Sequence, residues 1–178
     1  MNNSFGVQVY DDRFSWADKQ RFYGFLRNSS YKISGGAGLT IEQMSDVAMQ
    51  CMFSCEDMQN FGFMDRLPEE VKAATSGYTV ERAYALILNH LQNPHFHTDG
   101  CEDGLTLVYY ANLYWDKDWG GETLFSNDNL TEVVYTSMVI PGRIVLFDSR
   151  IPHKPSIPTP RANAFRLTFV INFTKNTN

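Results

Sequence analysis

Residues 104–125 read GLTLVYYANLYWDKDWGGETLF and contain two runs rich in β-branched and aromatic residues. Such residues favour strands. The stretch between the two runs contains Asp116, Asp118 and the adjacent Gly120 and Gly121, a composition typical of turns. The segment is therefore predicted to form two strands joined by a turn.

Further strand-like runs lie on both sides of this segment. They are YTVERAYALILNHL (78–91), TEVVYTSMVI (131–140), GRIVLFDS (142–149) and FRLTFVINF (165–173). Short runs of this kind with no helical intervals between them predict a sandwich or a barrel. We expect a mostly β protein of the α+β class, with a double-stranded β-helix (jelly roll) as the core over residues 78–174.

The N-terminal part, residues 1–77, is predicted to be a mixed, partly helical support whose helices pack on one sheet. Residues 15–27, SWADKQRFYGFLR, have apolar side chains at helical spacing, with Ser15 as the N-cap. SSYKISGG, residues 29–36, predicts a strand that ends in glycines.

Two more helices are predicted in this part. Thr40 with Gln43 three positions later forms a potential capping box, which predicts a helix over residues 40–60. A short third helix is expected near Pro68, because proline followed by acidic residues is common in a first helical turn.

Length and composition limit the possible classes of protein. A chain of 178 residues with 43% hydrophobic residues is expected to form one folded domain, residues 1–178. A net charge of -5 without a basic run disfavours nucleic acid as a partner. No apolar run approaches the roughly 18 residues of a membrane span, and no signal peptide is apparent at the N-terminus, so a soluble, cytoplasmic protein without a membrane partner is expected.

The three cysteines are expected to be reduced thiols, because their number is odd and no secretory signal precedes them. Cys51 and Cys55 would share a face of the predicted helix over residues 40–60, where buried apolar packing is the expected role. No role is assigned to Cys101.

The segment NPHFHTDG, residues 93–100, places two histidines beside an aspartate. Either His95 and His97 or His97 and Asp99 could be the working pair. His153, which follows the strand-like run at 142–149, adds a third potential ligand. His97, Asp99 and His153 together would be the two imidazoles and one carboxylate that leave coordination positions open on Fe(II).

A dicarboxylate that chelates iron at one end needs a cation for its far carboxylate, and arginine suits this role because its planar fork pairs bidentately. Arg161 and Arg166 are the candidates after His153. We prefer Arg166, which opens a clear strand, with Thr168 on the same face. Arg161 lies in a proline-rich loop and remains an alternative.

Four segments, HTDG, YYANLYWDKDWGGETLF, PGRIVLFDSRIPHKP and FRLTFVINF, resemble the 2-oxoglutarate- and Fe(II)-dependent oxygenases of the prolyl 4-hydroxylase type, in the same order along the chain. The resemblance implies that His97, Asp99 and His153 are the catalytic iron ligands. It implies that Arg166, assisted by Thr168, binds the distal carboxylate of 2-oxoglutarate.

The same resemblance suggests further cosubstrate contacts and a reaction. Tyr84 and Tyr110 are the candidate contacts, with Asn112 as a third. The implied cofactors are Fe(II), 2-oxoglutarate as cosubstrate and ascorbate as reductant. The implied reaction consumes O2, releases succinate and CO2, and hydroxylates a C–H bond. A peptidyl proline is the first expectation for the substrate, which would make the partner a peptide or protein, with a small molecule as the alternative.

Two other functions remain open on the sequence. A cupin-type metal-dependent dioxygenase or isomerase would use His95, His97, Glu102 and His153. An inactive jelly-roll binding module would keep only the fold. His90 is expected to be a hydrogen-bonded residue near a strand end and Glu122 a supporting residue. Trp115 and Trp119 are expected to pack in a wall and lid of the site rather than to form a stacking platform.

Overall fold

The computed structural model describes residues 5–33, 49–92, 94–100 and 103–176. In chain order their elements are β1 Gln8–Tyr10, α1 Trp16–Arg27, β2 Lys32–Ile33, β3 Met49–Phe53, α2 Cys55–Phe61, α3 Glu69–Ala74, β4 Tyr78–Leu88, β5 Leu105–Tyr110, β6 Thr123–Ser126, β7 Val133–Ser137, β8 Ile144–Asp148, β9 His153–Pro155 and β10 Arg166–Lys175. Short 3-10 helices occupy Met64–Arg66 and Lys117–Trp119.

The strands form two antiparallel sheets. The larger sheet has the order β1-β8-β5-β10-β4-β3-β2, and the smaller has the order β7-β6-β9. The long strands β10 and β4 pair over almost their whole lengths, with β5 on the other side of β10. This arrangement confirms the predicted mostly β, jelly-roll fold.

The two faces of the larger sheet are buried in different ways. On β5, Leu107 and Tyr109 join a core formed with the N-terminal helices, and Val108 and Tyr110 join a core between the two sheets. This division follows from the alternation of side chains along a strand. The helix-side core is rich in edge-to-face aromatic contacts among Phe14, Phe22, Phe61, Phe63, Tyr109 and Phe169.

Most of the N-terminal predictions are confirmed. Helix α1 begins after Ser15, whose side chain accepts a hydrogen bond from the backbone N–H of Asp18 at 3.1 Å. Strand β2 lies within the segment predicted as a strand, and α3 begins directly after Pro68. None of the described helices is both long and apolar enough to cross a membrane.

The predicted helix over residues 40–60 is wrong for its central part. Met49–Phe53 is the strand β3, which pairs with β4, and helix α2 begins only at Cys55 with Ser54 as its N-cap. Pairing with β3 satisfies backbone N–H and C=O groups along β4 that would otherwise lie at a sheet edge. The potential capping box at Thr40 and Gln43 lies outside the described residues.

This correction also changes the prediction for the cysteines. Cys51 lies on β3 and Cys55 at the start of α2, so the two do not share a helix face. Cys55 is exposed rather than buried, whereas Cys51 is half-buried. Cys101 lies outside the described residues.

Candidate active site

The floor of the candidate site is the inner face of the larger sheet, where β10 lies between β4 and β5. Three rows cross these strands, and the sheet register defines each of them. They are Leu86–Thr168–Tyr110, Tyr84–Val170–Val108 and Arg82–Asn172–Thr106. Arg166 lies at the start of β10, before the first row. The floor is therefore polar at both ends and more apolar in the middle.

The structure brings His97, Asp99 and His153 together above one end of this floor. His97 and His153 form an isolated antiparallel bridge, with N–H to O=C hydrogen bonds of 3.0 and 2.9 Å between their backbones. The backbone N–H of Asp99 donates to the carbonyl of Ser149 at 2.9 Å. One ligand atom from each of the three side chains lies within 4.8 Å of the others.

Both imidazoles are held by hydrogen bonds at Nδ1. Nδ1 of His97 lies 3.0 Å from the carbonyl oxygen of His95, and Nδ1 of His153 lies 2.9 Å from that of Ile151. A carbonyl oxygen only accepts, so each Nδ1 carries the hydrogen and each neutral ring keeps its Nε2 lone pair. Burial lowers the pKa of His153, which favours the neutral form that a metal requires.

The Asp99 carboxylate faces both Nε2 atoms. Its Oδ1 lies 4.0 Å from Nε2 of His97, and its Oδ2 lies 3.6 Å from Nε2 of His153. The side chain is only 2% exposed. Two imidazole nitrogens and one carboxylate on the same side of a pocket are the donor set of non-haem Fe(II) sites, so these residues fit that metal.

Arg166 is buried at the other end of the cavity, where its partners are neutral. Its Nε donates to the carbonyl of Gly121 at 2.6 Å, Nη2 to Thr123 Oγ1 at 3.0 Å and Nη1 to Thr168 Oγ1 at 3.3 Å. Within the described ranges no carboxylate forms an ion pair with it. Burial lowers the pKa of Arg166, yet an arginine in a protein stays protonated. A buried cation with only neutral partners is a suitable site for an anionic ligand.

The cavity between these two ends is lined by Tyr84, Leu86, Val108 and Val170, with His97, His153, Thr168 and Arg166 at its ends. Burial, and next the charge of Asp99, raise the pKa of the Tyr84 phenol, which therefore stays protonated at neutral pH. The hydroxyl of Tyr110 contacts Thr123 Oγ1 at 2.7 Å, and its ring lies under the Arg166 guanidinium at 5.3 Å. Tyr110 thus supports the arginine directly.

The two glycines before β6 allow Arg166 to approach this turn. Gly121 has a φ of +84°, and a Cβ there would lie 3.2 Å from both Arg166 Cδ and Trp115 Cζ2. Trp115 donates from Nε1 to the carbonyl of Gly120 at 2.9 Å and contacts Trp119 edge to face. The predicted packing role of both tryptophans is confirmed.

Other candidate residues lie away from the cavity. Arg161 is an exposed loop residue, and the side chains of His90 and His95 are exposed. Asn112 binds the backbone on both sides of Arg166, through Phe165 O and Leu167 N, which makes it a structural support of β10. Glu122 accepts a hydrogen bond from Ser156 Oγ at 2.6 Å. Glu102, needed for the cupin ligand set, lies outside the described residues.

Residues that the motifs did not indicate also reach the site. Arg82 and Thr106 donate to Asp99, and Asn172 donates to Thr106. These side chains come from three different strands, and only the sheet register reveals that they form one row. For Asn172 the sequence offered one indication. Side chains alternate along a strand, so Asn172 lies on the same face of β10 as Thr168.

Comparisons with known proteins agree with this geometry. No protein-family model and no curated protein sequence matches the chain. Among solved structures, a prolyl hydroxylase of Trichoplax adhaerens in complex with a hypoxia inducible factor peptide has a TM-score of 0.66 at 16% identity, covering 97% of this chain and 85% of that one. A prolyl-4-hydroxylase of Pseudomonas putida has a TM-score of 0.66 at 16% identity, covering 98% and 95%.

The chain has the fold of the 2-oxoglutarate- and Fe(II)-dependent oxygenases. A third structure with this fold, the non-haem α-ketoglutarate-dependent epimerase SnoN from nogalamycin biosynthesis, has a TM-score of 0.71 at 11% identity and covers 96% of this chain and 78% of that one. The oxygenase fold thus extends over almost the whole chain. The similar structures are named for different reactions, hydroxylation of proline in two of them and epimerisation in the third.

Proposed function

We propose that this protein is an Fe(II)- and 2-oxoglutarate-dependent dioxygenase that hydroxylates a C–H bond. The observation that carries the proposal is a single cavity with the His97, Asp99 and His153 cluster at one end and the buried Arg166, without a carboxylate partner among the described residues, at the other. A dicarboxylate that chelates a metal needs both features, and a jelly roll that only binds other molecules needs neither.

The metal would be held by Nε2 of His97, the carboxylate of Asp99 and Nε2 of His153. When bound, Fe(II) supplies the oxidative chemistry in which O2 and 2-oxoglutarate yield succinate, CO2 and a hydroxylated substrate. The chain contributes the three ligands and also fixes their orientation. Each Nδ1 donates a hydrogen bond to a backbone carbonyl, which directs the Nε2 atom of that histidine to the metal position.

The other residues of the cavity would bind and shield the cosubstrate. Arg166 would pair with the distal carboxylate, and the Thr168 hydroxyl, on the same face, would contribute a hydrogen bond. Leu86, Val108 and Val170 line the middle of the cavity and would exclude water. The protonated phenol of Tyr84 would donate a hydrogen bond to an anionic cosubstrate.

For the substrate we propose a peptidyl proline, with a small molecule as the alternative. The support is that two of the similar structures are named prolyl hydroxylases and that one of them binds a peptide. The metal end of the cavity is also accessible, since the side chains of His97 and Arg82 are 49% and 44% exposed. Ascorbate is proposed as the reductant that keeps the iron in its Fe(II) state.

The test is a screen of proline-containing peptides and small metabolites for stimulated succinate release from 2-oxoglutarate, with the product identified by the mass gain of one oxygen atom. Asp99→Ala is expected to abolish turnover, whereas His95→Ala is expected to leave it unchanged. The reverse pattern would favour the cupin ligand set, and absence of succinate formation across the screen would count against an oxygenase.

A further inference from the structure

The Asp99 carboxylate is connected to the larger sheet by one row of side chains. Arg82 on β4, Asn172 on β10 and Thr106 on β5 lie directly opposite one another in the sheet register. Arg82 Nε donates to Asn172 Oδ1 at 2.6 Å, and Asn172 Nδ2 donates to Thr106 Oγ1 at 2.9 Å. Arg82 Nη2 donates to Asp99 Oδ1 at 3.3 Å, and Thr106 Oγ1 donates to Asp99 Oδ2.

The direction of each hydrogen bond follows from the groups involved. Arginine only donates, so the atom of Asn172 that faces Arg82 is the amide oxygen, and its NH2 group must point to Thr106. An ionised carboxylate only accepts, so the single hydroxyl hydrogen of Thr106 points to Asp99. Ser149 Oγ, 3.0 Å from Thr106 Oγ1, must then be the donor in that contact.

The buried position of these polar side chains indicates that their hydrogen bonds have a specific role. Thr106, Asn172 and Ser149 are each 0% exposed. A buried polar group that lacks its partner destabilises the fold, whereas apolar side chains of the same shape would fill this space without that cost. Packing alone therefore does not explain why three polar side chains lie here. Asn172 and Ser149 both donate to Thr106 Oγ1, and the hydroxyl hydrogen of Thr106 goes to Asp99, so the three side chains form one network that ends at the carboxylate.

We propose that Thr106, Asn172 and Arg82 are positioning residues that preset the Asp99 carboxylate for metal binding, with the Thr106 hydroxyl as the decisive donor. The inference rests on the proposed function, because it assigns these residues to the same metal site. The row keeps the two Asp99 oxygens within 4.0 Å of the Nε2 atoms of His97 and His153. Loss of the hydroxyl would free the carboxylate to rotate away from this arrangement.

The test measures the affinity of the 178-residue chain for Co²⁺, a redox-stable substitute for Fe(II), by calorimetric titration. Thr106→Val removes the hydroxyl with little change of shape and is expected to lower the affinity about 10- to 100-fold, the usual effect of losing a residue that orients a metal ligand. Thr106→Ser keeps the hydroxyl and is expected to retain nearly the wild-type affinity. The visible spectrum of bound Co²⁺ is expected to change in Thr106→Val only.

A matched control separates positioning from stability. Thr75 is another buried threonine, but its hydroxyl binds only backbone carbonyls of α3. Thr75→Val is expected to lower the Tm without changing Co²⁺ affinity. Arg82→Lys, at a half-exposed position, keeps the charge but cannot donate to Asn172 and Asp99 at the same time in the geometry of arginine, and is expected to weaken Co²⁺ binding by about tenfold. Its Tm, measured beside that of Thr75→Val, shows whether any loss of affinity exceeds the effect of lowered stability.

The outcomes distinguish this inference from the function on which it rests. If the wild type binds Co²⁺ and Thr106→Val and Arg82→Lys bind it equally well, the positioning role is overturned and the proposed function stands. Equal losses of affinity in Thr106→Ser and Thr106→Val would also overturn it, because the hydroxyl would then not matter. If the wild type binds no metal, both proposals fail.

Discussion

At the scale of single residues, the surroundings of Arg166 favour it over Arg161 as the anchor of an anionic cosubstrate. The guanidinium is buried among neutral partners on a sheet face, whereas the alternative, Arg161, is exposed in a loop. The proximity of Tyr110 and Thr123 explains how the charge is tolerated before a ligand arrives. The preference for Arg166 as the cosubstrate anchor therefore has a structural basis beyond its place on a strand.

Arg166→Gln is predicted to weaken 2-oxoglutarate binding, while Arg161→Gln is predicted to have no effect. A hydrogen bond to a charged group contributes about 1.5–3 kcal/mol, which corresponds to a loss of roughly 10- to 100-fold in affinity. Calorimetric titration of 2-oxoglutarate into the Mn²⁺-loaded variants measures the difference. A loss of affinity in Arg161→Gln, with Arg166→Gln unaffected, would transfer the anchor to the loop.

Gly121 determines how closely the turn approaches Arg166. Gly121→Ala is predicted to lower stability by about 1 kcal/mol or more, because alanine is strained at a positive φ, and also to weaken 2-oxoglutarate binding by displacing Arg166. Gly77 is a matched control, since its φ is +86° but a Cβ there would meet nothing within 4 Å. Gly77→Ala should show the loss of Tm alone, and equal cosubstrate affinity in both variants would refute the predicted displacement.

At the scale of elements, the N-terminal strand β1 is attached to the core by an ion pair. Arg143 Nε and Nη2 donate to the two carboxylate oxygens of Asp11 at 2.7 and 2.8 Å, just beyond the pairing of β1 with β8. The hydrogen bonds from Arg143 lower the pKa of Asp11 below its ordinary value. This pair therefore makes the attachment of β1 dependent on pH.

Asp11→Asn is predicted to lower stability at neutral pH by at most about 1 kcal/mol, because the pair is partly solvated. A carboxyl with a lowered folded pKa stabilises the fold above its unfolded pKa and loses that contribution as pH falls through the folded value. The difference in Tm between wild type and variant should therefore vanish in acid. Asp12→Asn is the control, because the Asp12 side chain is 93% exposed and its contact with Lys19 Nζ, at 3.9 Å, is long, and it should change the Tm at neutral pH much less than Asp11→Asn.

The elements also show where sequence patterns suffice and where they fail. The strands β4 to β8 and β10 were predictable because their β-branched and aromatic runs are separated by clear turns. Met49–Phe53 was not, because methionine, cysteine and phenylalanine suit a buried helix as well as a strand, and pairing with β4 decides the outcome. The short strands β1 and β9 depend on their partners in the same way.

A similar division applies to the candidate site. The HxD spacing and a distant histidine indicated His97, Asp99 and His153 as candidates, the resemblance to the oxygenases favoured this set over the pair His95 and His97, and the structure places the three together. The row of Arg82, Asn172 and Thr106 could not be selected, because its members lie far apart in sequence inside ordinary strands. Their proximity is a property of the sheet register, which a single sequence does not specify.

At the scale of the whole molecule, one cavity is proposed to bind a metal and a 2-oxo dicarboxylate together. Both ends of that cavity lie over the same face of the larger sheet. Arg166, at the start of β10, marks the cosubstrate end, and Asn172, further along β10 and bonded to the Asp99 partner Thr106, lies below the metal end. Binding of 2-oxoglutarate at the Arg166 end should therefore change the absorption of a metal bound at the other end.

The most direct measurement is an anaerobic titration of the protein with Fe(II) and then with 2-oxoglutarate, followed by visible absorption. A weak charge-transfer band is predicted only when both are present, and it should be lost in Asp99→Ala and require more 2-oxoglutarate in Arg166→Gln. A wild-type protein that develops no band with both ligands, and forms no succinate when O2 is admitted, would contradict joint binding and with it the oxygenase function.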